Sequence, residues 1–141
     1  MPDGPTSTDF ESWFATLTEA ASSDRRTKLR PWFRALHDDH GPVTMEVALI
    51  AWALQQLDTS ELAVALVLAD VHRTTNWQVE VELATFGNAV EITVEGHTRA
   101  PATDSDPWDQ HAIVSDIAEI IQEDVTEWRS EVWPVCASHG V

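Results

Sequence analysis

The chain has 141 residues, 43% of them hydrophobic, which fits one domain with a genuine core. Its formal net charge of −16 disfavours nucleic acid or an anionic membrane as a direct partner, because phosphate binding needs a basic footprint. The one cysteine, Cys136, excludes an intrachain disulfide, and no apolar run approaches the ~18 residues of a membrane-spanning helix. The N-terminus lacks a basic stretch followed by an apolar core, so we expect a cytoplasmic protein.

In chain order, residues 1–8 hold two prolines, a glycine and three hydroxyl residues, and are expected to be a disordered leader. Residues 9–132 are expected to form a single α+β domain, and 133–141 a C-terminal tail. Thr8 or Asp9 can cap a helix running to about Ala21, with Phe10, Trp13, Phe14 and Leu17 as its apolar stripe. Ser22, Ser23 and Asp24 break it. A second helix is expected, with Leu29, Trp32, Phe33 and Leu36 as its candidate inward positions. Pro31 falls within that pattern, and a proline removes an intrahelical hydrogen bond. The expected start is therefore near Arg30, with Arg25 to Lys28 in an exposed loop. Arg25, Arg26, Lys28, Arg30 and Arg34 are five of the eight basic residues. Pairing with nearby acids in the same fold is the favoured account of this cluster, ahead of self-association with an acidic face.

Gly41 and Pro42 mark a boundary, and Val43 or Thr44 opens the next element. Met45 to Leu57 is a helix with Met45, Leu49, Trp52 and Leu57 among its inward positions. Asp58-Thr59-Ser60-Glu61 then reads as a capping box that begins a new helix. The run 62–69 is apolar almost throughout, and periodicity cannot separate a buried helix from a buried strand over that length. The capping box and the alanine content favour helix. As a strand it would make a three-stranded meander, in an order of helices, three strands and a helix. That order resembles the small acidic secretion chaperones of bacteria in topology, charge and size.

Residues 77–95 carry the clearest signal. Val79, Val81 and Leu83 alternate with Glu80 and Glu82, and Val90, Ile92 and Val94 alternate with Glu91, Thr93 and Glu95. The two runs are separated by Gly87-Asn88. This predicts an antiparallel β-hairpin with one apolar and one acidic face. A lone hairpin is marginal in water, so helices must cover it. Residues 96–105 read as a polar loop. Asp106-Pro107-Trp108-Asp109 then opens a long C-terminal helix, with Asp106 as its cap and an end near Val132. Ile113, Ile117, Ile120, Ile121, Val125, Trp128 and Val132 trace the stripe expected to cover the hairpin.

The sharpest candidate chemistry is His37-x-x-His40 with Cys136-x-x-His139, since two such pairs can hold one tetrahedral zinc. Ordinary surface histidines are the favoured alternative. The tail from Trp133 to His139 resembles the W-P-x-C-P-x-H stretch of small uncharacterised actinobacterial proteins, with Ala137 in place of a proline. That resemblance implies a bacterial cytoplasmic protein and no particular activity. No nucleophile elbow, phosphate-binding glycine loop or H-E-x-x-H motif occurs, and His72, His97 and His111 are isolated; we expect no enzyme.

Glu80, Glu82, Glu91 and Glu95 are expected to form the solvated side of the hairpin. Together with Trp77 they are also the candidate partner-binding residues. The seven tryptophans cannot all be deep core in a chain of this size, and some belong at a rim or contact surface. The expected function is a small acidic interaction module of adaptor, chaperone or immunity type, binding a basic protein partner and forming a homodimer. Two alternatives stand beside it: a zinc-binding structural or regulatory protein, and a DNA mimic.

Overall fold

The structure, a computed structural model, describes residues 7–129. Its elements are α1 (Ser7–Leu17), α2 (Ser23–His40), α3 (Met45–Thr74), β1 (Val81–Phe86), β2 (Ala89–Val94), β3 (His97–Arg99) and α4 (Gln110–Arg129). The fold class is α+β, with four helices, the last of them C-terminal, and one three-stranded antiparallel sheet among the described residues. The chain divides into two compact units between Leu49 and Ile50. Ser7 and Thr8, expected in the leader, already belong to α1; residues 1–6 of the leader and the tail 133–141 lie outside the described residues, as does the expected end of the last helix.

In the first unit, α1 buries Phe10 and Phe14, and α2 buries Leu29, Phe33, Leu36 and His37. Phe10 stacks on Phe14 at 5.5 Å between centroids, and Phe14 meets Phe33 edge to face at 5.5 Å. Helix α1 stops at Leu17, short of the expected Ala21. The Arg26 guanidinium donates to the Thr18 and Glu19 carbonyls at 2.9 and 3.0 Å, satisfying oxygens that a continuing helix would have used.

Helix α2 corrects the expected start near Arg30. It begins at Ser23 and runs through Pro31, so Arg25 to Lys28 are helical and not in a loop. The Ser22 hydroxyl accepts the Arg25 amide at 3.1 Å, a true N-cap two turns before the proline. The cap, together with the buried Leu29 and Phe33 on either side of Pro31, outweighs one missing backbone bond. Gly41, at φ +77°, ends the helix by donating to the His37 carbonyl at 2.8 Å. Thr44 opens α3, its hydroxyl accepting the Val47 amide at 3.2 Å.

Helix α3 corrects a second expectation. Asp58 to Glu61 start no new helix; one helix runs unbroken through them, and residues 62–69 are helical. The polar residues there are used sideways. Gln56 Nε2 donates to the Ser105 carbonyl and the Thr59 hydroxyl to the Pro107 carbonyl, each at 2.9 Å, while Ser60 is fully buried. With no glycine or proline in the run, nothing interrupts the intrahelical bonds.

The hairpin forms as the alternation predicts, with Val81 opposite Val94, Leu83 opposite Ile92 and Thr85 opposite Val90. The Gly87-Asn88 turn carries Gly87 at φ +63°, the conformation a first turn residue needs for the tight hairpin of this hand. The third strand is a correction to the polar loop expected over 96–105. β3 pairs Arg99 with Ile92, Thr98 with Thr93 and His97 with Val94. It follows a second tight turn, at Glu95 (φ +49°) and Gly96 (φ +83°). The meander is thus completed after the hairpin and not by residues 62–69.

The core of this unit is fully buried: Val90, Ile92 and Val94 from β2, Ile113, Ile117, Ile121 and Val125 from α4, and Ala63 and Val71 from α3. Each such valine or isoleucine contributes about 1.5–3 kcal/mol of transfer free energy. Asp106 is not the cap of α4. Asp109 is, with its Oδ1 accepting the Ala112 amide at 3.1 Å and its carbonyl the Ile113 amide at 3.0 Å. Asp106 closes the turn before it, accepting the Asp109 amide on its carbonyl.

Candidate functional site

The pleat that buries Val90, Ile92 and Val94 turns Glu91 and Thr93 to the opposite side of the sheet, beside Glu82, Ala84 and Phe86 of β1. The Thr93 and Thr98 hydroxyls bond at 2.7 Å and extend this outer face onto β3. Glu80 and Glu95 meet where the hairpin opens. The Glu95 amide donates to the Glu80 carbonyl at 2.9 Å, and the Glu80 amide donates to Glu95 Oε1 at 3.2 Å. The structure therefore gathers Glu80, Glu82, Glu91 and Glu95 on the hairpin, as its alternation predicts. Among the described residues no arginine or lysine forms an ion pair with any of the four. Phe86, at the hairpin tip, is 71% exposed. Trp77 is not a free member of this face; it is half-buried and packs against the core cluster.

Charge is neutralised elsewhere. In the first unit Arg30 pairs with Glu11, and Arg34 with Asp38 at 3.5 Å. Both guanidinium groups also lie over the Phe10 ring, at 5.3 and 4.8 Å from its centroid. Arg30 and Arg34 of the basic cluster thus pair with acids of α1 and α2, as the sequence favours, while Arg26 donates to backbone carbonyls.

Of the four residues considered for zinc, two are described. His37 is 1% exposed, in ring contact with Phe10 (5.5 Å) and Trp13 (5.1 Å), and neither of its nitrogens has a hydrogen-bond partner. His40 is exposed at the end of α2. Cys136 and His139 lie outside the described residues. Among the described residues no group of three or more His, Cys, Asp or Glu is placed to hold a metal ion. No helix among them is long and apolar enough to cross a membrane.

Sequence reasoning missed an acidic, hydrogen-bonded surface on α4. Asp116 Oδ2 accepts the Thr103 and Ser105 hydroxyls at 2.6 and 2.7 Å. Glu123 and Asp124 each accept from Arg99 at 2.7 Å. The Glu123 hydrogen bond first, and then Asp124, hold the Arg99 guanidinium above its ordinary pKa, against the opposing effect of desolvation. Asp104, Asp116, Glu119 and Glu123 line an open cavity of about 410 Å³ beside Arg99. The signal was available: 116, 119 and 123 recur at helical spacing beside the isoleucine stripe.

Sequence reasoning also missed the side of α3 turned away from the core. Ile50, Leu54, Leu62 and Leu66 are between 47% and 59% exposed there. No family model, curated protein or solved structure matches the chain.

Proposed function

We propose that this protein is an acidic interaction module whose outer sheet face binds a basic protein surface. The observation that carries the reading is the set of four carboxylates, Glu80, Glu82, Glu91 and Glu95, left without a cationic partner among the described residues while Arg26, Arg30 and Arg34 of α2 are engaged with α1, with the turn after it and with α2 itself. Such a field steers a cationic partner and gives specificity more than raw affinity. Phe86 supplies an apolar contact at the tip of the same hairpin. An adaptor, chaperone or immunity role in a cytoplasmic, homodimeric protein is the form this reading takes, and no catalytic step is part of it.

The test is titration of an arginine-rich peptide by calorimetry across a salt series, against wild-type protein and a variant with all four glutamates changed to glutamine. Weaker binding and a shallower salt slope in the variant support the reading; equal binding removes it. Native mass spectrometry of the same sample reports oligomeric state. It also tests the zinc reading for His37, His40, Cys136 and His139, for which the unpartnered nitrogens of His37 are the supporting observation.

A further inference from the structure

Helix α3 carries an apolar face that its own unit does not use. Ala63, Val67 and Val71 point into the core, and Ala53, Gln56 and Ser60 are buried on the same side. On the opposite side lie Ile50 (47% exposed), Leu54 (51%), Leu62 (59%) and Leu66 (54%). Positions 50, 54, 58, 62 and 66 follow one i+4 ridge, which winds obliquely across the exposed side of the helix with Glu61 beside Asp58. The stripe spans roughly 24 Å at 1.5 Å per residue. Four large aliphatic side chains in one row are more than the scattered exposure normal for a soluble surface.

Asp58 and Glu61 interrupt the row at its middle, both exposed and with no cationic partner among the described residues. From Met45 to Val71 the helix contains no arginine or lysine. The stripe is therefore apolar at both ends and negative at its centre.

That pattern selects the occupant. A second copy packed antiparallel about Asp58 would match Leu54 with Leu62 and Ile50 with Leu66, yet would press Asp58 against its own image. Like charges brought together across an interface cost several kcal/mol, so the pattern works against this chain as its own partner. A helix with leucine-type anchors and a lysine or arginine facing Asp58 and Glu61 has no such conflict.

We infer that the exposed face of α3 is a docking surface for an amphipathic, basic helix of a partner protein. The apolar row buries the partner's anchors at helix–helix packing distance, and the central carboxylates fix its register. This surface is separate from the outer sheet face, and the inference stands whether or not that face binds anything.

The test uses a labelled peptide of ~18 residues, enough to span the stripe as a helix, with leucines at three- and four-residue spacing and lysines on the flanks. Fluorescence anisotropy at physiological salt compares wild-type protein with the double variant Leu54→Asp/Leu62→Asp and with Asp58→Lys. Circular dichroism confirms that each variant keeps its helix content, as substitutions at exposed positions should. The inference expects each variant to bind the peptide at least about tenfold more weakly. The double variant is decisive because it makes the protein more negative. Were attraction of opposite charge the whole cause, that variant would bind a basic peptide more tightly, and such a result overturns the inference. A wild-type dimer that becomes monomeric in the double variant overturns it too, since a second copy would then be the occupant. The four-glutamate variant of the sheet face serves as control: in that background too, adding Leu54→Asp/Leu62→Asp should weaken binding of this peptide by a comparable factor, and no weakening there overturns the inference.

Discussion

Arg99 and Asp124 form the one ion pair among the described residues in which a partner is almost completely buried. The Arg99 guanidinium donates to Asp124 Oδ1 at 2.7 Å, and Asp124 is 3% exposed with its second oxygen unpartnered. The pair ties β3 to α4, so the short third strand is held by a side chain as much as by its ladder. Replacing Arg99 by methionine strands a buried carboxylate. We expect a loss of roughly 2–3 kcal/mol, below the full buried-pair value because the arginine side is over a third exposed. Adding Asp124→Leu should recover much of it. Urea denaturation of the single and double variants measures both.

Asp116 holds the loop before α4 through two hydroxyls. Asp116→Ala leaves the buried Thr103 hydroxyl without its acceptor, at a cost of about 1–3 kcal/mol. Hydrogen exchange at the Ser105 amide, which donates to Thr103 Oγ1 at 3.0 Å, should quicken in this variant.

Pro31 lies on an exposed position inside α2. Pro31→Ala restores a backbone donor where the helix already continues. It should stabilise the α1–α2 pair by about 1–3 kcal/mol, read as slower amide exchange along α2. An unchanged rate would mean that the proline costs this helix nothing.

His37 presents the opposite case, a buried ring with two unpartnered nitrogens. His37→Leu is close to it in volume and removes both polar atoms. Stability should hold or rise by up to about 1 kcal/mol, measured by amide exchange in α1 and α2. A marked loss would show that the nitrogens have a partner in solution.

Legibility in the sequence followed how local each determinant is. The β1–β2 hairpin was readable because its period of two and its Gly-Asn turn lie within twenty residues. The α4 stripe was readable because four core positions repeat at helical spacing. Helix α2 was misread at its start because the rule for Pro31 is local, whereas the burial of Leu29 and Phe33 that overrides it is tertiary. Asp58 to Glu61 resembled a cap because sequence alone does not show that Thr59 and Gln56 reach carbonyls nearly fifty residues away. β3 has three residues, too few for a period. The four hairpin carboxylates were found from alternation alone. The α3 face went unrecognised because the same leucines, on paper, serve a buried helix equally well.

Trp52 and Trp108 stand 5.6 Å apart and nearly perpendicular, and the chain has no tyrosine. Two indoles at that distance and angle couple their electronic transitions, so the pair acts as a built-in chromophore with a distinct circular-dichroism signature. Its partners belong to α3 and to the turn before α4, joined nearby by the Thr59–Pro107 bond. Optical loss of the couplet would time the release of that turn against the loss of helix, with no label added.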